Sequence, residues 1–202
     1  MKSFSQFSKG KGITFVDIDD TLLYTTAFID VIGPDGKVKR SLSNTEFNNY
    51  VLKPDEEFGF GQFKSSKILH DTSKPNKKMI AKINGMLDYI EQKGHGSEIH
   101  ILTARAPMDD TDLVMKTFAK HGLRADKLKG VIMTGDTGLG VPHVAKKKVI
   151  RSYLQSGDYN RVRLFDDSKK NLDAFLELES EFPEIEFMAW TVGEDSKPRR
   201  YN

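Results

Sequence analysis

The sequence predicts an α/β fold in which helices cover both faces of a parallel sheet. The segment 13–16 is short, apolar and rich in β-branched residues, which is typical of a buried strand. From residue 76 onward, helical and strand patterns alternate regularly. A chain of 202 residues suits one domain, so we expect a single domain over 1–202 with an insertion at 24–74.

The expected insertion interrupts the alternation directly after the first strand. Residues 28–32 and 37–42 flank a Gly-Pro-Asp-Gly turn and predict a β-hairpin. A short helix is expected at 45–50. The aromatic stretch 58–63 is interpreted as a flap that packs on the domain, in preference to a surface that stacks on bases.

The later elements follow from hydrophobic periodicity and from turn residues. Helices are predicted at 76–93, 109–121, 142–155 and 168–180. Strands are predicted at 98–103, 130–134, 161–165 and 185–191. The tail 196–202 is expected to be loose.

Composition excludes several kinds of chemistry. The chain has no cysteine, so disulfides, thiolate metal sites and a cysteine nucleophile are impossible, and any metal needs oxygen or histidine ligands. The net charge is +2, yet residues 116–170 hold thirteen Lys or Arg against five Asp. This basic stretch favours a polyanionic partner or forms solvated helix faces, and the overall balance does not demand nucleic acid.

The expected location is the cytoplasm. Residues 1–11 are polar and do not resemble a secretion signal. No later segment approaches the roughly 20 apolar residues that span a bilayer, so no membrane association is predicted. Nothing in the sequence indicates a protein partner.

Three carboxylates occupy four positions at the end of the first strand: Asp17, Asp19 and Asp20. Like charges at such density repel one another, and a divalent cation is the best compensation. The carboxyl ends of strands are also where α/β sheets bind ligands. The alternative is an acidic turn that caps the next helix.

Other polar residues fall at equivalent places in the alternation. Thr103 ends the strand 98–103, and Asp166-Asp167 end the strand 161–165. The helix between them carries three consecutive lysines at 146–148. We therefore expect carboxylates, a hydroxyl and an ammonium group to meet at the carboxyl edge of one sheet.

These residues resemble the four motifs of haloacid dehalogenase (HAD) superfamily phosphatases. The motifs are Asp17-Ile18-Asp19-Asp20-Thr21, then Thr103, then a lysine, then Asp166-Asp167. We assign the lysine to Lys146, which lies one helical turn before Ile150. The resemblance implies a three-layer α/β/α Rossmann-like fold (HAD-like) with a flap or small cap at 24–74.

The resemblance also implies a Mg²⁺-dependent phosphatase. Asp17 would attack phosphorus and form an aspartyl-phosphate, and Asp19 would donate a proton to the leaving oxygen and then activate water. Thr103 would bind a phosphoryl oxygen, and Lys146 would balance the charge of the transition state. Asp20 is interpreted as a bystander.

The implied Mg²⁺ ligands are Asp17, the backbone carbonyl of Asp19, and Asp166, while Asp167 either supports these ligands or binds the ion through water. Thr21 and Arg105 are candidate substrate contacts. Arg105 stands in a Thr-Ala-Arg pattern that resembles polynucleotide kinase–phosphatase-type domains. The alternative for Arg105 is a surface pair with a nearby aspartate, Asp109 or Asp110.

The expected substrate is a phosphorylated small molecule, such as a nucleotide, or a phosphorylated nucleic-acid end. The resemblance implies phosphoester chemistry, because phosphatases and many phosphomutases of this superfamily keep an Asp at the position of Asp19. Hydrolysis is the default reaction. Two alternatives stay open: a phosphotransferase, and a non-catalytic protein that binds phosphate or metal.

Overall fold

The elements of the chain come from a computed structural model, which describes residues 10–47, 49–193 and 195–202. The expectation about residues 1–11 therefore falls almost entirely outside the described residues. The strands are β1 Lys11–Val16, β2 Leu23–Tyr24, β3 Ile29–Ile32, β4 Val38–Leu42, β5 Glu57–Gly59, β6 Lys74–Pro75, β7 Glu98–Thr103, β8 Gly130–Met133, β9 Tyr159–Asp166, β10 Glu186–Val192 and β11 Pro198–Arg200. The α-helices are α1 Asn44–Phe47, α2 Ser66–Thr72, α3 Lys77–Lys93, α4 Thr111–Lys120, α5 Pro142–Ser156 and α6 Lys169–Leu176. Short 3₁₀ turns lie at Gly61–Lys64, Ala125–Lys127 and Glu177–Ser180.

The central sheet has six strands in the order β11-β10-β9-β1-β7-β8. All neighbours are parallel except β10 and β11, which pair antiparallel. The predicted α/β fold with a mostly parallel sheet is therefore confirmed. Since β1 lies between β7 and β9, the carboxyl ends of these three strands are adjacent.

Alternate side chains of each strand pack on opposite faces of the sheet. Ile13 and Phe15 belong to the core under α5 and α6, whereas Val16 and Ile18 belong to the core under α3 and α4. Side chains alternate between faces along a strand, so a strand buried on both sides reads as a continuous apolar run. Helices thus flank the sheet on both faces.

Most predicted elements lie where the sequence places them. The helix predicted at 76–93 is α3: the side chain of Asn76 caps its start, and Gly94 ends it in the left-handed conformation, with φ 62°. The helix predicted at 168–180 divides into α6 and the last 3₁₀ turn. The prediction of a loose tail was wrong, because β11 pairs with β10 through three residues of each strand.

The insertion predicted at 24–74 contains a small antiparallel sheet of order β4-β3-β5, and β3 and β4 form the predicted hairpin. Its aromatic side chains pack on each other; Phe47 lies 4.8 Å from Phe58 between ring centroids and 5.7 Å from Phe60. Helix α2 follows, which the sequence reading did not predict.

Within the described ranges, no helix combines the length and the apolar character that crossing a lipid bilayer requires.

Candidate functional site

The candidate site begins where β1 and β9 end side by side. Asp17 directly follows β1, and its backbone N–H donates to the carbonyl oxygen of Phe165 at 3.0 Å. Asp166 is the last residue of β9. Both carboxyl groups are buried. The parallel register therefore places two acids next to each other at the carboxyl edge of the sheet.

Lys146 lies between these two acids. Its Nζ donates to Asp17 Oδ1 and to Asp166 Oδ2, both at 2.7 Å, and the side chain is 2% exposed. The two neighbouring lysines point elsewhere: Lys147 pairs with Glu177, and Lys148 donates to the carbonyl of Leu139. Of the three lysines at 146–148, the structure thus brings Lys146 to the acids.

Asp167 completes a group of three carboxylates. One oxygen from each of Asp17, Asp166 and Asp167 lies within 4.8 Å of the others. Three carboxylates against the single ammonium of Lys146 leave an excess of negative charge when all are ionised. The donor set consists of oxygen atoms, which Mg²⁺ prefers, so the residues fit a hard divalent cation.

The crowding of these acids changes their proton affinities. Burial raises the pKa of Asp17 well above its usual value, and Asp166, Asp167 and Asp19 add to the rise against the opposing charge of Lys146. Loss of hydration, together with the charges of Asp166 and Asp20, raises the pKa of Asp167 to about 7. Since Asp167 as a whole is exposed, the like charges are the firmer cause.

The ammonium of Lys146 responds in the opposite sense. Burial disfavours its charged form, but the carboxylates of Asp166 and Asp17 outweigh burial and raise the pKa of Lys146. Lys146 therefore stays charged between acids whose own ionisation is mutually disfavoured.

Asp166 is held by hydrogen bonds from residues that follow it in the chain. The amide of Asn171 donates to both of its oxygens, at 2.9 and 3.1 Å, and the backbone N–H of Ser168 donates to Oδ1 at 2.9 Å. Asn171 is buried on the first turns of α6. These contacts leave little freedom for Asp166 to turn away from Lys146.

The chain turns sharply after Asp17. The N–H groups of Leu22 and Leu23 both donate to Ile18 O at 2.9 Å, and Asp20 takes the left-handed conformation with φ 56°. Asp tolerates this conformation better than most residues because its short side chain bonds locally. The turn brings the hydroxyl of Thr21 to 3.4 Å from Asp167 Oδ1.

Thr21 is fully buried. Its hydroxyl reaches a carboxylate of the cluster, an arrangement that does not favour the expected contact with substrate. Its carbonyl accepts a hydrogen bond at 3.0 Å from the amide of Asn76, the same residue that caps α3. Asn76 therefore holds the turn against α3.

Arg105 pairs with an acid other than the two that lie near it in the sequence. It is 2% exposed and donates to Asp19 through Nε at 2.8 Å and Nη2 at 2.7 Å. Asp109 is occupied by Ser66, whose backbone N–H donates to it at 2.8 Å, and Asp110 caps α4. The expected pairing of Arg105 with Asp109 or Asp110 was therefore wrong.

Arg105 also joins the site to the insertion. Nη1 donates to the carbonyl of Phe63 at 3.2 Å, Nη2 donates to Thr25 Oγ1 at 3.0 Å, and the guanidinium lies 4.8 Å from the Phe63 ring centroid. Both oxygens of Asp19 thus accept from Arg105, and the role of Asp19 in proton transfer stays a prediction. Its backbone carbonyl as a metal ligand stays a prediction.

Thr103 ends β7 and is fully buried. Its hydroxyl accepts from the backbone N–H of Arg105 at 3.2 Å, so it orders the loop that carries the guanidinium. Gly135 packs against the same loop: a Cβ there would lie 2.4 Å from Ala104 O. The expected contact of Thr103 with a phosphoryl oxygen stays a prediction.

Sequence reasoning overlooked three contributors: Asn76, Thr25 and Phe63. The sequence marks Asn76 as a helix start, yet nothing local shows that its amide reaches Thr21. Thr25 lies outside the regular elements, and Phe63 lies in a 3₁₀ turn of the aromatic stretch; nothing local shows that either contacts Arg105.

A scan against protein-family models finds no match to this chain. A search among curated proteins likewise finds none that is significantly similar.

Proposed function

We propose that this protein is a Mg²⁺-dependent phosphatase that hydrolyses a phosphate monoester through an aspartyl-phosphate on Asp17. The observation that carries the proposal is the bridge of Lys146 between Asp17 and Asp166, with Asp167 in the same group of carboxylates. The four-motif resemblance to HAD phosphatases supports it. The group has the charge and ligand type that phosphoryl transfer requires.

Asp17 would act as the nucleophile. Lys146 holds Oδ1 of Asp17, which orients the carboxylate and leaves Oδ2 to attack phosphorus. A P–O bond to the leaving group then breaks while the new bond to Asp17 forms. Water subsequently attacks the acyl phosphate, which frees inorganic phosphate and restores the carboxylate.

The residues that would hold Mg²⁺ are Asp17, Asp166 and Asp167. The ion, when bound, neutralises the charge of the phosphoryl group. Lys146 contributes a fixed positive charge from within the fold, and Asn171 keeps Asp166 in place for both partners.

Asp19 would serve the leaving group and the water. In the present arrangement Arg105 holds both of its oxygens. We propose that a substrate phosphate draws Arg105 away, since a guanidinium binds phosphate in the same forked geometry. Asp19 is then released when substrate is present.

The insertion at 24–74 would act as the flap of the site, within one HAD-like domain over 1–202. Contacts of Arg105 with Thr25 and Phe63 link it to the carboxylates. A phosphorylated nucleotide or nucleic-acid end is the proposed substrate class, with no role for a membrane or a protein partner, and the cytoplasm is the proposed location.

The test is hydrolysis of p-nitrophenyl phosphate with Mg²⁺ and with EDTA. We expect phosphate release with Mg²⁺ only, and a loss of about 10³-fold or more in the Asp17→Asn variant. Asp112→Asn changes an exposed acid on α4 in the same way and should keep full activity. Asp167→Asn should raise the Mg²⁺ concentration for half-maximal rate by about tenfold.

Wild-type rates in Asp17→Asn, or equal rates with EDTA, would contradict the proposal. Transfer of the phosphoryl group to an added alcohol in place of water would replace hydrolysis by phosphotransfer.

A further inference from the structure

A second concave feature lies away from the carboxylates. It is a groove of about 490 Å³ between α3 and strands β1, β9 and β10. Arg161 and Arg163 lie on its floor, and Lys82 and Tyr89 reach it from α3. None of Asp17, Asp166 or Asp167 lines it.

The groove is strongly basic. Lys82, Arg161 and Arg163 line it, and no Asp or Glu does so among the described residues. Burial and the charges of Arg161 and Arg200 lower the pKa of Arg163 to about 10, although Glu186 opposes them. With a net charge of only +2 for the chain, this local concentration of cations favours an anionic occupant.

Aromatic rings accompany the cations, and one of them is exposed. Trp190 is partly buried: it stacks on Phe165 with centroids 5.9 Å apart, and Lys82 and Arg200 lie 5.2 and 5.9 Å from its ring centroid. Tyr89 is 51% exposed, and Lys93 Nζ lies 5.8 Å from its ring. Flat rings beside positive charges are the elements with which proteins hold bases and phosphates of single strands.

The groove extends over more than one nucleotide. Lys82 and Tyr89 are seven positions apart on α3, so they lie about 10 Å apart along the helix axis. A mononucleotide would reach either Lys82 or Tyr89, whereas a strand would reach both. An acidic peptide would use the cations and gain nothing from the exposed ring of Tyr89.

Gly85 keeps the wall of the groove open. It sits inside α3 between Lys82 and Tyr89, where glycine costs about 1 kcal/mol relative to alanine. A Cβ at Gly85 would meet no described atom within 4 Å. Glycine, the weakest helix former in α3, therefore stands at the position from which a larger side chain would extend into the groove.

We propose that this groove binds single-stranded nucleic acid, with phosphates at Lys82, Arg161 and Arg163 and a base against Tyr89. Binding needs neither Mg²⁺ nor hydrolysis, so it stands apart from the proposed function. If both hold, the groove identifies polynucleotides as the substrate class.

The experiment measures fluorescence anisotropy of a short fluorescein-labelled oligothymidylate with EDTA present. Gly85→Leu should weaken binding at least about tenfold by filling the groove, and Gly85→Ala should do so less. Lys82→Gln should weaken binding about threefold and reduce the slope of log affinity against log salt by about 0.7. Lys116→Gln, an exposed lysine on α4, should stay within about twofold of wild type.

Circular dichroism and thermal unfolding verify that each variant is folded. Wild-type affinity in both Gly85→Leu and Lys82→Gln overturns the proposal, as does equal weakening in Lys116→Gln, which would indicate diffuse attraction. Equal competition by thymidine monophosphate or by oligoglutamate also overturns it. Asp17→Asn should bind normally, so failure of the phosphatase proposal and failure of the groove are separable.

Discussion

Arg105 and Asp19 are joined by two parallel hydrogen bonds although 86 positions separate them in the chain. This pair connects the turn after β1 with the loop after β7. It also connects both with the insertion, through Phe63 and Thr25. The geometry of the site therefore depends on a planar, forked donor at position 105.

Arg105→Lys keeps the positive charge but removes the planar guanidinium, which donates two parallel hydrogen bonds to Asp19. We expect the free energy of unfolding to fall by about 1–3 kcal/mol, because a lysine cannot donate to both oxygens of the partly buried Asp19 carboxylate in the forked geometry of a guanidinium. Urea unfolding measures the change. Arg151→Lys is the matched control, since Arg151 makes the same double contact with Glu181 at the surface, and it should cost less than about 0.5 kcal/mol. Equal losses in the two variants would contradict a special role for Arg105.

Lys146→Met removes the ammonium between two buried acids. We expect a loss of about 3–5 kcal/mol in the free energy of unfolding, because Asp17 and Asp166 would be left without compensation. Lys147→Met, on the next residue of α5, breaks only the exposed pair with Glu177 and should change stability by less than about 1 kcal/mol. Thermal or urea unfolding compares the two, and a smaller effect at position 146 than at 147 would refute the bridge.

Asn76→Asp separates the two functions of this side chain. The carboxylate can still accept from Met79 N–H at the start of α3, but it cannot donate to the carbonyl of Thr21. We expect a loss of about 1–3 kcal/mol for the unsatisfied buried groups, together with slower phosphate release. Asp110→Asn makes the reverse exchange at the cap of α4 and should cost only a few tenths of a kcal/mol. Unchanged stability in Asn76→Asp would show that the Thr21 contact is dispensable.

The contacts of Glu98 predict that the stability of the protein depends on pH. Burial would raise the pKa of Glu98, but hydrogen bonds from Lys11, His100 and Tyr159 outweigh it and lower the pKa below the usual 4.5. The resulting stabilisation is present above about pH 4.5 and is lost as the pH falls through the lower folded value. Glu98→Gln should therefore cost about 1–2 kcal/mol at neutral pH and progressively less in acid.

Glu184→Gln controls for the removal of an exposed charge and should show no such trend. Unfolding curves at several pH values make the comparison. A constant difference between wild type and Glu98→Gln down to low pH would contradict the assignment.

The sequence predicted the parts of the structure that depend on local pattern. Hydrophobic periodicity located β1, β7, β9 and α3, and strand ends located Asp17 and Asp166. The pairing of Arg105 with Asp19 was not predictable, because the nearby acids Asp109 and Asp110 were equally plausible partners by sequence distance. They are occupied by Ser66 and by the cap of α4.

The tail illustrates a second limit. The segment 196–202 is short and polar, which is typical of a frayed chain end, yet β11 within it pairs with β10. The pairing depends on the exposed edge of β10, and on contacts such as Tyr201 N–H to Ala189 O at 3.0 Å. A strand of three residues is too short to show a hydrophobic periodicity, so the sequence does not indicate its partner.

The two outer strands of the sheet differ in how readily they would recruit a second chain. β11 is three residues long and consists of a proline and two arginines, the features that discourage strand addition. β8, at the other edge, is Gly130–Met133, short but apolar and uncharged. When the chain is partly unfolded, we expect aggregation to begin along β8, and a lysine placed in that strand would suppress it.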